Sequence, residues 1–336
     1  MRNMTRGEIL TVRIEVDEER CNGCNFCVEF CPTSVFELVK ANGKDVARAT
    51  RPDECWACNA CMPQCSQQAI TVRQDLSPAK FLDKENKAPF TPLSADERRT
   101  YASYAESLER VLKLRWEPVA ITLIPNGVPL PHVPTPRLKL RYCQSLTIAR
   151  RGRSLLMTAE YHSCADGSSI LGLTGIPPKL ASGDVYIKLG KVASVEAAKQ
   201  MVLERPTLPE KSIKATLVTP LAEAVMKPDV VAVMAPPESM MWLCLASTFY
   251  TGKRHTFKMS SYNAQCAETT LFPYITGEIN MSLGCYGCRA VSDISDDIMF
   301  MGIPLPKLAP LVDGLERLGK KAIPDARFKI YLPPLA

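Results

Sequence analysis

The 336-residue sequence has few histidines and none of the glycine-rich motifs that bind nucleotides. Histidine occurs three times. No G-x-G-x-x-G follows a strand-like segment, and no G-x-x-x-x-G-K-[ST] occurs anywhere in the chain. These absences argue against a dinucleotide-binding domain of the Rossmann type and against P-loop ATP hydrolysis.

Long apolar runs are missing as well. The start, MRNMTRGEILTVRIEVDEER, has no apolar core of the secretory kind, and no later segment approaches the roughly 18 uninterrupted apolar residues of a membrane span. We therefore expect no membrane span and a cytoplasmic location. Cysteine, in contrast, is abundant, with 14 residues. In a reducing compartment so many cysteines indicate metal or redox chemistry more often than disulfides.

Charge is distributed unevenly along the chain. The net charge is +6, but residues 1–75 hold 9 Lys and Arg against 11 Asp and Glu, so the rest carries the whole excess of positive charge. The basic part shows no basic helix, zinc finger or aromatic-basic RNA motif, so we do not expect nucleic acid as a partner. A solvated basic surface, a small anionic ligand and an acidic protein partner remain as interpretations.

Apolar patterning predicts the order of the elements. Strand-like ILTVRIEV and AITVRQ enclose two cysteine runs, and residues 76–96 are predicted to be a linker. A helix is predicted from Ser94 or Asp96 through Trp116, followed by a buried strand, VAITLI. Strands at DVYIKLG, ATLVTPL, DVVAVMA and IMFMGI then alternate with helices at SVEAAKQMVLE, ESMMWLCLASTFYTG and LAPLVDGLERL. This alternation predicts a larger α/β or α+β domain over residues 97–336.

The two cysteine runs share one spacing. CNGCNFCVEFCP begins at residue 21 and CWACNACMPQCS at residue 55, and each reads Cys-x2-Cys-x2-Cys-x3-Cys. In this pattern three sulfurs bind one [4Fe–4S] cluster and the fourth reaches the other cluster. A zinc site is the alternative, but zinc usually takes two cysteine pairs and would leave the third cysteine of each run unused. The predicted ligand sets are Cys21, Cys24, Cys27 and Cys65 for one cluster, and Cys55, Cys58, Cys61 and Cys31 for the other.

Residues 10–75 resemble the bacterial two-cluster ferredoxin family. The proline that usually follows the fourth cysteine is present as Pro32 in the first run, whereas Ser66 stands there in the second. The resemblance implies an α+β ferredoxin-like domain over residues 1–75, with two [4Fe–4S] clusters that relay electrons.

The larger domain over residues 97–336, which we call the body, carries a second resemblance. RYCQSLTIARRG, AEYHSCADGSSILGL and AQCAETTLFPYITGEINMSLGCYGCR resemble motifs of an uncharacterised prokaryotic family, domain-of-unknown-function family 169, over residues 105–320. The resemblance names no reaction. It implies that four cysteines occupy motif positions: Cys143, Cys164, Cys266 and Cys285. The family more often has serine at the position of Cys288, so Cys288 is an added or substitute ligand.

Three roles compete for these body thiols. They could ligate a third Fe–S cluster or another metal, or line the site of an organic cofactor. Cys285 and Cys288 could instead form a redox-active dithiol, since a Cys-x-x-Cys turn can lower a thiol pKa. We expect this turn to lack the strand-to-helix context of thioredoxin-like sites. The third role is burial as small apolar side chains, which is the interpretation for Cys244 in its apolar helix.

A few polar residues accompany the body cysteines. His162 precedes Cys164 by two residues and could ligate iron. Arg137, Lys139 and Arg141 would share one face of a strand and suit a carboxylate, a phosphate or the acidic N-terminal domain. Three acidic residues near the cysteines could move protons, although no pair has a spacing that requires it: Glu160, Asp166 and Glu268.

Two functions follow as hypotheses. In the first, the protein is an electron-transfer protein or oxidoreductase in which the ferredoxin domain relays electrons to a cysteine-lined metal or ligand site in the C-terminal domain. Its partner would be a redox protein, because the nucleotide motifs that would bind NADH are absent. In the second, the protein is a non-catalytic redox sensor, or an accessory factor that binds or reductively activates a partner metalloenzyme.

Overall fold

The computed structural model describes residues 13–55, 60–73, 82–85, 92–136, 138–260 and 262–321. In its N-terminal part, β1 pairs with β4 and β2 with β3, both antiparallel. The predicted strands on either side of the cysteine runs are therefore confirmed where they are described, because they form β1 and β4. The elements of this part are β1 Arg13–Val16, α1 Phe26–Phe30, β2 Phe36–Ala41, β3 Lys44–Ala49, α2 Cys61–Gln64 and β4 Ile70–Arg73.

The larger C-terminal part combines strands and helices with one π-helix at Ala264–Leu271. Its strands are β5 Leu82–Glu85, β6 Val119–Pro125, β7 Pro134–Pro136, β8 Leu155–Thr158, β9 Ile213–Pro220, β10 Val230–Ala235, β11 Asn280–Ser282 and β12 Met299–Pro304. Its helices are α3 Ala95–Leu112, α4 Tyr142–Ala149, α5 Ala165–Ile170, α6 Pro178–Ala181, α7 Asp184–Lys188, α8 Val195–Glu204, α9 Pro237–Ser247, α10 Phe272–Thr276, α11 Tyr286–Val291 and α12 Leu305–Lys321.

Six strands form the central sheet, in the order β11-β12-β10-β6-β9-β8. Every neighbouring pair in it is antiparallel. Of the two predicted classes for the body, α+β is therefore the one observed, because an α/β domain is built on a mostly parallel sheet. Strand β5, inside the predicted linker, pairs with β7 and so lies against the body.

Both faces of this sheet are covered, which explains the uninterrupted apolar runs of its strands. In β10, Val230 and Ala232 pack into one core, and Val231 and Val233 pack into the other. Helices α3, α9 and α12 supply the second core. The first core receives α4 and the π-helix, and four of the body cysteines pack in it or against it.

Helix α3 begins as predicted but ends early. The Ser94 side chain accepts from the backbone N–H of Glu97, and the Glu97 carboxylate accepts from the backbone N–H of Ser94, which forms a capping box. Lys113, in the left-handed conformation at φ 53°, ends the helix. The predicted end at Trp116 was therefore wrong by one turn, since the chain turns before Pro118.

The prediction of a strand at DVYIKLG was also wrong, because these residues form helix α7. Val185 and Tyr186 are buried with Leu180, and Leu189 packs against the same cluster. Positions 185, 186 and 189 lie on one side of a helix, whereas a strand would point 185 and 186 to opposite faces. The apolar spacing is therefore helical despite the β-branched residues.

Within the described residues, no helix is long and apolar enough to cross a membrane.

Candidate functional site

A cavity in the N-terminal part gathers the predicted ligands of the first cluster. Cys21, Cys24, Cys27 and Cys65 all line it, and Cys61 reaches it too. Burial raises the pKa of Cys27 to about 11, and ionised Cys21 and Cys24 add to the increase because they lie close by. Cys65 of the second run thus lines the same cavity as three cysteines of the first run, and its role as the fourth ligand stays a prediction.

Backbone N–H groups point at the sulfurs of both runs in the same way. Val35 N–H donates to Cys31 Sγ at 3.3 Å, and Ala69 N–H donates to Cys65 Sγ at 3.3 Å. Each donor lies four residues after the last cysteine of its run. Such donors stabilise thiolates and help set cluster potentials, so the residues present fit two [4Fe–4S] clusters.

The second ligand set is seen only in part. Cys31, Cys55 and Cys61 pack in or against the core of the N-terminal part. Cys58 lies outside the described residues, so its role as the remaining ligand stays a prediction.

The candidate body cysteines come from four separate segments. Cys143 lies in α4, Cys164 caps α5, Cys266 lies in the π-helix, and Cys285 caps α11, which contains Cys288. We call these five residues the cysteine cluster. A π-helix is rare and often marks a functional site, and all residues of this one are buried.

Gly167 shows how close two of these thiols lie. A β-carbon built on Gly167 would be 3.6 Å from Cys164 Sγ and 3.6 Å from Cys266 Sγ. The two sulfurs therefore lie within twice that distance of each other. The missing side chain at position 167 leaves the space between them open.

Cys285 and Cys288 cap one another. Cys288 N–H donates to Cys285 Sγ at 3.3 Å, and Cys285 N–H donates to Cys288 Sγ at 3.1 Å. The Cys288 Sγ–H can also donate to the Cys285 carbonyl oxygen, which lies 3.1 Å from the sulfur. The pair thus occupies the first turn of α11, with Cys285 at its cap.

The expectation that this turn lacks a strand-to-helix context was wrong. Strand β11 ends at Ser282, Gly284 turns the chain at φ 91°, and α11 begins directly after Cys285. The three residues of β11 are too few for an alternating pattern, and they become a strand by pairing with β12. Strand, glycine turn and helix therefore place the dithiol.

The five thiols differ in acidity. Burial raises the pKa of Cys143 to about 12 and that of Cys164 to about 11, and it holds the pKa of Cys266 well above the ordinary value. Ionised neighbours within the cluster contribute to all three increases. The pKa of Cys285 lies below its ordinary value because its sulfur accepts from the Cys288 side chain, and the N–H groups of Cys288 and Ala264 lower it further. The same bond, with burial, raises the pKa of Cys288.

Single-ion metal binding finds no support in the part of the chain that the structure describes. Across it, no three His, Cys, Asp or Glu side chains are grouped to hold one metal ion. The predicted third Fe–S cluster, whose sulfurs would be spread around several irons, stays a prediction.

A pocket opens beside Cys164 and Cys285. It encloses about 620 Å³ of empty space, part of it open to solvent. We call it the cysteine pocket; among the residues that line it are Arg141, Cys164, Asp166, Tyr186, Lys191, Tyr262, Asn263, Cys285 and Tyr286.

Arg141 and Asp166 give the inner part of this pocket its charge. Arg141 is 4% exposed, and its Nη1 donates to the Gly287 carbonyl at 3.0 Å. Asp166 forms a buried ion pair with Arg205 and accepts from the Tyr186 hydroxyl at 2.7 Å. Arg205 thus balances the charge of Asp166, and Arg141 places a buried positive charge on the pocket wall.

Lys191 stands among three tyrosines at the outer part. Its Nζ lies 6.0 Å from the ring centre of Tyr186, 5.9 Å from that of Tyr262 and 5.8 Å from that of Tyr286. The distances lie in the range of cation–π attraction. The Tyr262 hydroxyl also donates to the Lys191 carbonyl at 2.8 Å, which fixes the arrangement.

The N-terminal part closes one side of this pocket. Ala60, which directly precedes Cys61, lines it together with Cys164 and Cys285. A neighbouring cavity is lined by Pro63 and Gln64 of α2, with Lys191 and two of the tyrosines. The predicted second cluster site therefore adjoins the cysteine pocket.

Two lysines of the body donate hydrogen bonds to the N-terminal part. Lys179 Nζ donates to the Cys31 carbonyl at 3.2 Å and to Ser34 Oγ at 3.0 Å. Lys188 Nζ donates to the Glu29 carbonyl at 3.4 Å. Positive charge of the body thus contacts the acidic N-terminal part.

The other predicted residues lie elsewhere. His162 is buried, its Nε2 lies 3.4 Å from Thr216 Oγ1, and burial lowers its pKa to about 3. Glu268 is buried and accepts from Ser260 Oγ at 3.0 Å. Glu160 is exposed, and Cys244 packs against the core on the opposite face of the sheet. Arg137 lies outside the described residues; of the two described members of the predicted basic face, Arg141 lines the pocket and Lys139 does not.

Sequence reasoning missed Lys191 and its three tyrosines. They come from α7, the chain after it, the start of the π-helix region and α11, so no spacing links them. The only local signal, the tyrosine between the cysteines of GCYGCR, indicates an aromatic residue beside the dithiol but not its partners.

The body matches one family along most of its length. A model of the DUF169 family, described as uncharacterised ArCR, matches residues 107–314. The chain belongs to this family. An uncharacterised protein of Methanocaldococcus jannaschii, MJ0308, is 32% identical over 178 residues, which are 52% of this chain and 76% of that protein. The resemblance stated for the body is therefore confirmed.

The N-terminal part of this DUF169 protein matches a model of the 4Fe-4S dicluster domain at residues 20–69. A ferredoxin of Methanothermococcus thermolithotrophicus is 36% identical over 63 residues, 18% of this chain and 98% of that protein. An iron–sulfur component of the CoB–CoM heterodisulfide reductase from Methanopyrus kandleri is 49% identical over 43 residues, 12% of this chain and 7% of that protein. No solved structure matches the chain. The N-terminal part is thus of the iron–sulfur electron-transfer kind.

Proposed function

We propose that this protein is an oxidoreductase in which the ferredoxin domain exchanges electrons with a redox-active group in the cysteine pocket. One observation carries the proposal: a single cavity is lined by Ala60, next to a predicted ligand of the second cluster, and by Cys164 and Cys285 of the body. A one-electron relay so placed can serve chemistry in that cavity.

The residues that line the pocket have different roles. Cys285 supplies a reactive sulfur at the pocket wall, and the N–H groups around it stabilise its thiolate. Arg141 and Lys191 attract an anionic group, and Asp166 is held by Arg205 and Tyr186 as part of the wall. When bound, the two [4Fe–4S] clusters supply electrons one at a time.

Electron counting tests the proposal. The oxidised full chain is titrated anaerobically with a calibrated reductant while its iron content is measured. Two cubane clusters take up about two electrons per chain, so a redox group in the pocket raises the count above two. We expect a count above two for the native chain, and about two for Cys285→Ser with unchanged iron content.

Cys244→Ser is the matched control, because Cys244 lies on the other face of the sheet, and it should count like the native chain. A native count of about two would overturn the proposal. It would favour the alternative, in which the body senses redox state or serves a partner metalloenzyme without accepting electrons itself.

A further inference from the structure

We propose that Cys285 and Cys288 are the redox-active group, a dithiol that cycles with its disulfide and reduces a disulfide substrate carrying negative charge. The proposal rests on the proposed function, since the electrons that restore the dithiol come through the ferredoxin domain. It assigns a reaction class and a substrate class to the cysteine pocket.

The geometry of the pair suits such a cycle. The two cysteines lie one turn apart at the start of α11, and each sulfur accepts the backbone N–H of the other residue. The backbone before and after them is held by β11 and by the body of α11. The two side chains therefore lie side by side, and the N–H group at Cys285 Sγ stabilises a thiolate there.

The thiols of Cys266 and Cys143 differ from this pair in how firmly they hold their protons. Cys266 Sγ lies 3.5 Å from its acceptor, the Asn263 carbonyl oxygen, and a thiol can donate to a carbonyl only while it is protonated. Burial raises the pKa of Cys143 to about 12, so this thiol also keeps its proton at neutral pH. A dithiol needs one thiolate beside one thiol, and the mutual hydrogen bonds of Cys285 and Cys288 suit that pairing.

The exposure of the two sulfurs indicates which cysteine attacks the substrate and which one resolves the mixed disulfide. Cys285 is partly exposed and lines the cysteine pocket, whereas Cys288 is 1% exposed and lies behind it. A substrate entering the pocket therefore meets Cys285 first. Cys285 is the attacking thiolate and Cys288 is the resolving thiol.

The pocket wall indicates the substrate class. Arg141 lies next to Cys285, because a β-carbon on Gly287 would be 3.0 Å from Arg141 Nη1 and 4.0 Å from Cys285 Sγ. Lys191 supplies a second positive charge, and Tyr186 and Tyr286 supply apolar ring faces. A small disulfide with a carboxylate or another anionic group fits this combination of cations and rings.

The reaction balances in three steps. The Cys285 thiolate attacks one sulfur of the substrate disulfide, so that a mixed disulfide forms and the first substrate thiolate leaves. The Cys288 thiol loses its proton and attacks Cys285 Sγ, which releases the second substrate thiolate and closes the Cys285–Cys288 disulfide. Two electrons delivered through the ferredoxin domain, and one proton, reopen the disulfide to the Cys285 thiolate and the Cys288 thiol.

A trapping experiment tests the roles. The reduced protein reacts anaerobically with dithiobis(nitrobenzoate), an anionic aromatic disulfide, and peptides are mapped by mass spectrometry. The native chain should end with a Cys285–Cys288 disulfide, and Cys288→Ser should retain the mixed disulfide at Cys285. Absence of both products in folded protein would overturn the proposal.

The substrate class is tested with Lys191→Met. We expect reaction at Cys285 to slow by about tenfold with dithiobis(nitrobenzoate) and to change little with dithiodipyridine, which is neutral. The methionine keeps an unbranched side chain between the tyrosines. Equal effects on the two probes would contradict an anion-binding role for Lys191.

Reopening of the disulfide separates this inference from the proposed function. The oxidised native chain should regain both thiols on anaerobic reduction, whereas Cys61→Ser, which removes a predicted ligand of the second cluster, should be at least tenfold slower. Lys179→Met with Lys188→Met, which removes the lysine hydrogen bonds between the domains, is a second variant that leaves the clusters' cysteines intact. If the disulfide forms but reopens equally fast in all of them, the dithiol stands and the electron relay falls. If the native chain holds about 12 iron atoms and takes up three electrons, the relay stands and the dithiol falls.

Discussion

The two cysteine-rich regions of this protein are built in opposite ways. In the ferredoxin domain, eight cysteines occupy two short runs, and five of them line one cavity. In the body, five cysteines come from four segments that lie far apart in the sequence, and four of the five pack in or against the core on one face of the sheet. The spacing of the cysteines predicts the first region, whereas the cysteines of the second region come together only when the sheet has formed.

The regions also treat their sulfurs differently. In the ferredoxin domain, Cys21, Cys31 and Cys65 each accept a backbone N–H from a residue outside their own run's turn. In the body, Cys266 and Cys288 are placed to donate to carbonyl oxygens. Several stabilised thiolates suit metal ligation, and a mixture of thiol and thiolate suits disulfide exchange. The same residue type thus serves two kinds of chemistry.

The largest expected effect is on iron. Cys65→Ser removes a ligand that the second run contributes to the first cluster, and we expect the variant to lose roughly half of its iron. Cys164→Ser should keep the native iron content, because we assign metal to the ferredoxin domain only. Iron and sulfide assays on anaerobically purified protein measure both variants, and iron loss in Cys164→Ser would remove the contrast between the two regions.

The next effect is on stability of the body. A β-carbon on Gly302 of β12 would lie 2.0 Å from the Thr269 carbonyl oxygen of the π-helix, so Gly302→Ala forces two backbones apart. We expect a loss of about 3 kcal/mol or more in the free energy of unfolding, measured with urea. Gly127→Ala is the control: no atom lies within 4 Å of the added carbon, and its positive φ alone should cost about 1 kcal/mol. Equal losses would show that the π-helix is not held by the contact at Gly302.

A third prediction concerns the acidity of Cys285. Because the Cys288 side chain and two backbone N–H groups stabilise its thiolate, the pKa of Cys285 lies below the ordinary thiol value. Alkylation of Cys285 by iodoacetamide should therefore reach half of its maximum below about pH 8.5, as the thiolate forms on raising the pH. Cys288→Ala removes the side-chain donor and should move this midpoint upward. An unchanged midpoint would contradict the bond between the two side chains.

The smallest expected effect is at Gly167. The added carbon of Gly167→Ala makes ordinary contacts with Cys164 Sγ and Cys266 Sγ, and alanine favours the helix by about 0.5–1 kcal/mol. We expect stability within about 1 kcal/mol of native, native iron content and native reactivity of Cys285. Loss of iron in this variant would reveal a metal centre between the two sulfurs and make the two regions alike.

Local patterns were sufficient for several elements of the body. The capping box at Ser94 marks the start of α3, and Ser194 caps α8 as its position before an apolar helix predicts. The buried strands β6, β9, β10 and β12 follow from their apolar runs. These predictions succeeded because each depends on a residue's immediate neighbours.

Other elements needed the whole fold. Strand β11 has three residues and is a strand because β12 pairs with it. The residues of α7 include β-branched side chains, yet burial of Val185 and Tyr186 beside Leu180 makes them a helix. No local pattern predicts the π-helix, which packs its backbone directly on Gly302.

The sequence by itself determined the ferredoxin-type domain and predicts its cluster ligands, because Cys-x2-Cys-x2-Cys-x3-Cys places the cysteines within a few residues of one another. It also determined the family of the body through its motifs. Only the tertiary structure decided that the body sheet is antiparallel, that Cys164 and Cys285 line one pocket, and that Lys191 and three tyrosines line it with them. The physical reason is that these contacts join segments dozens of residues apart, and burial on a completed sheet, rather than local spacing, brings them together.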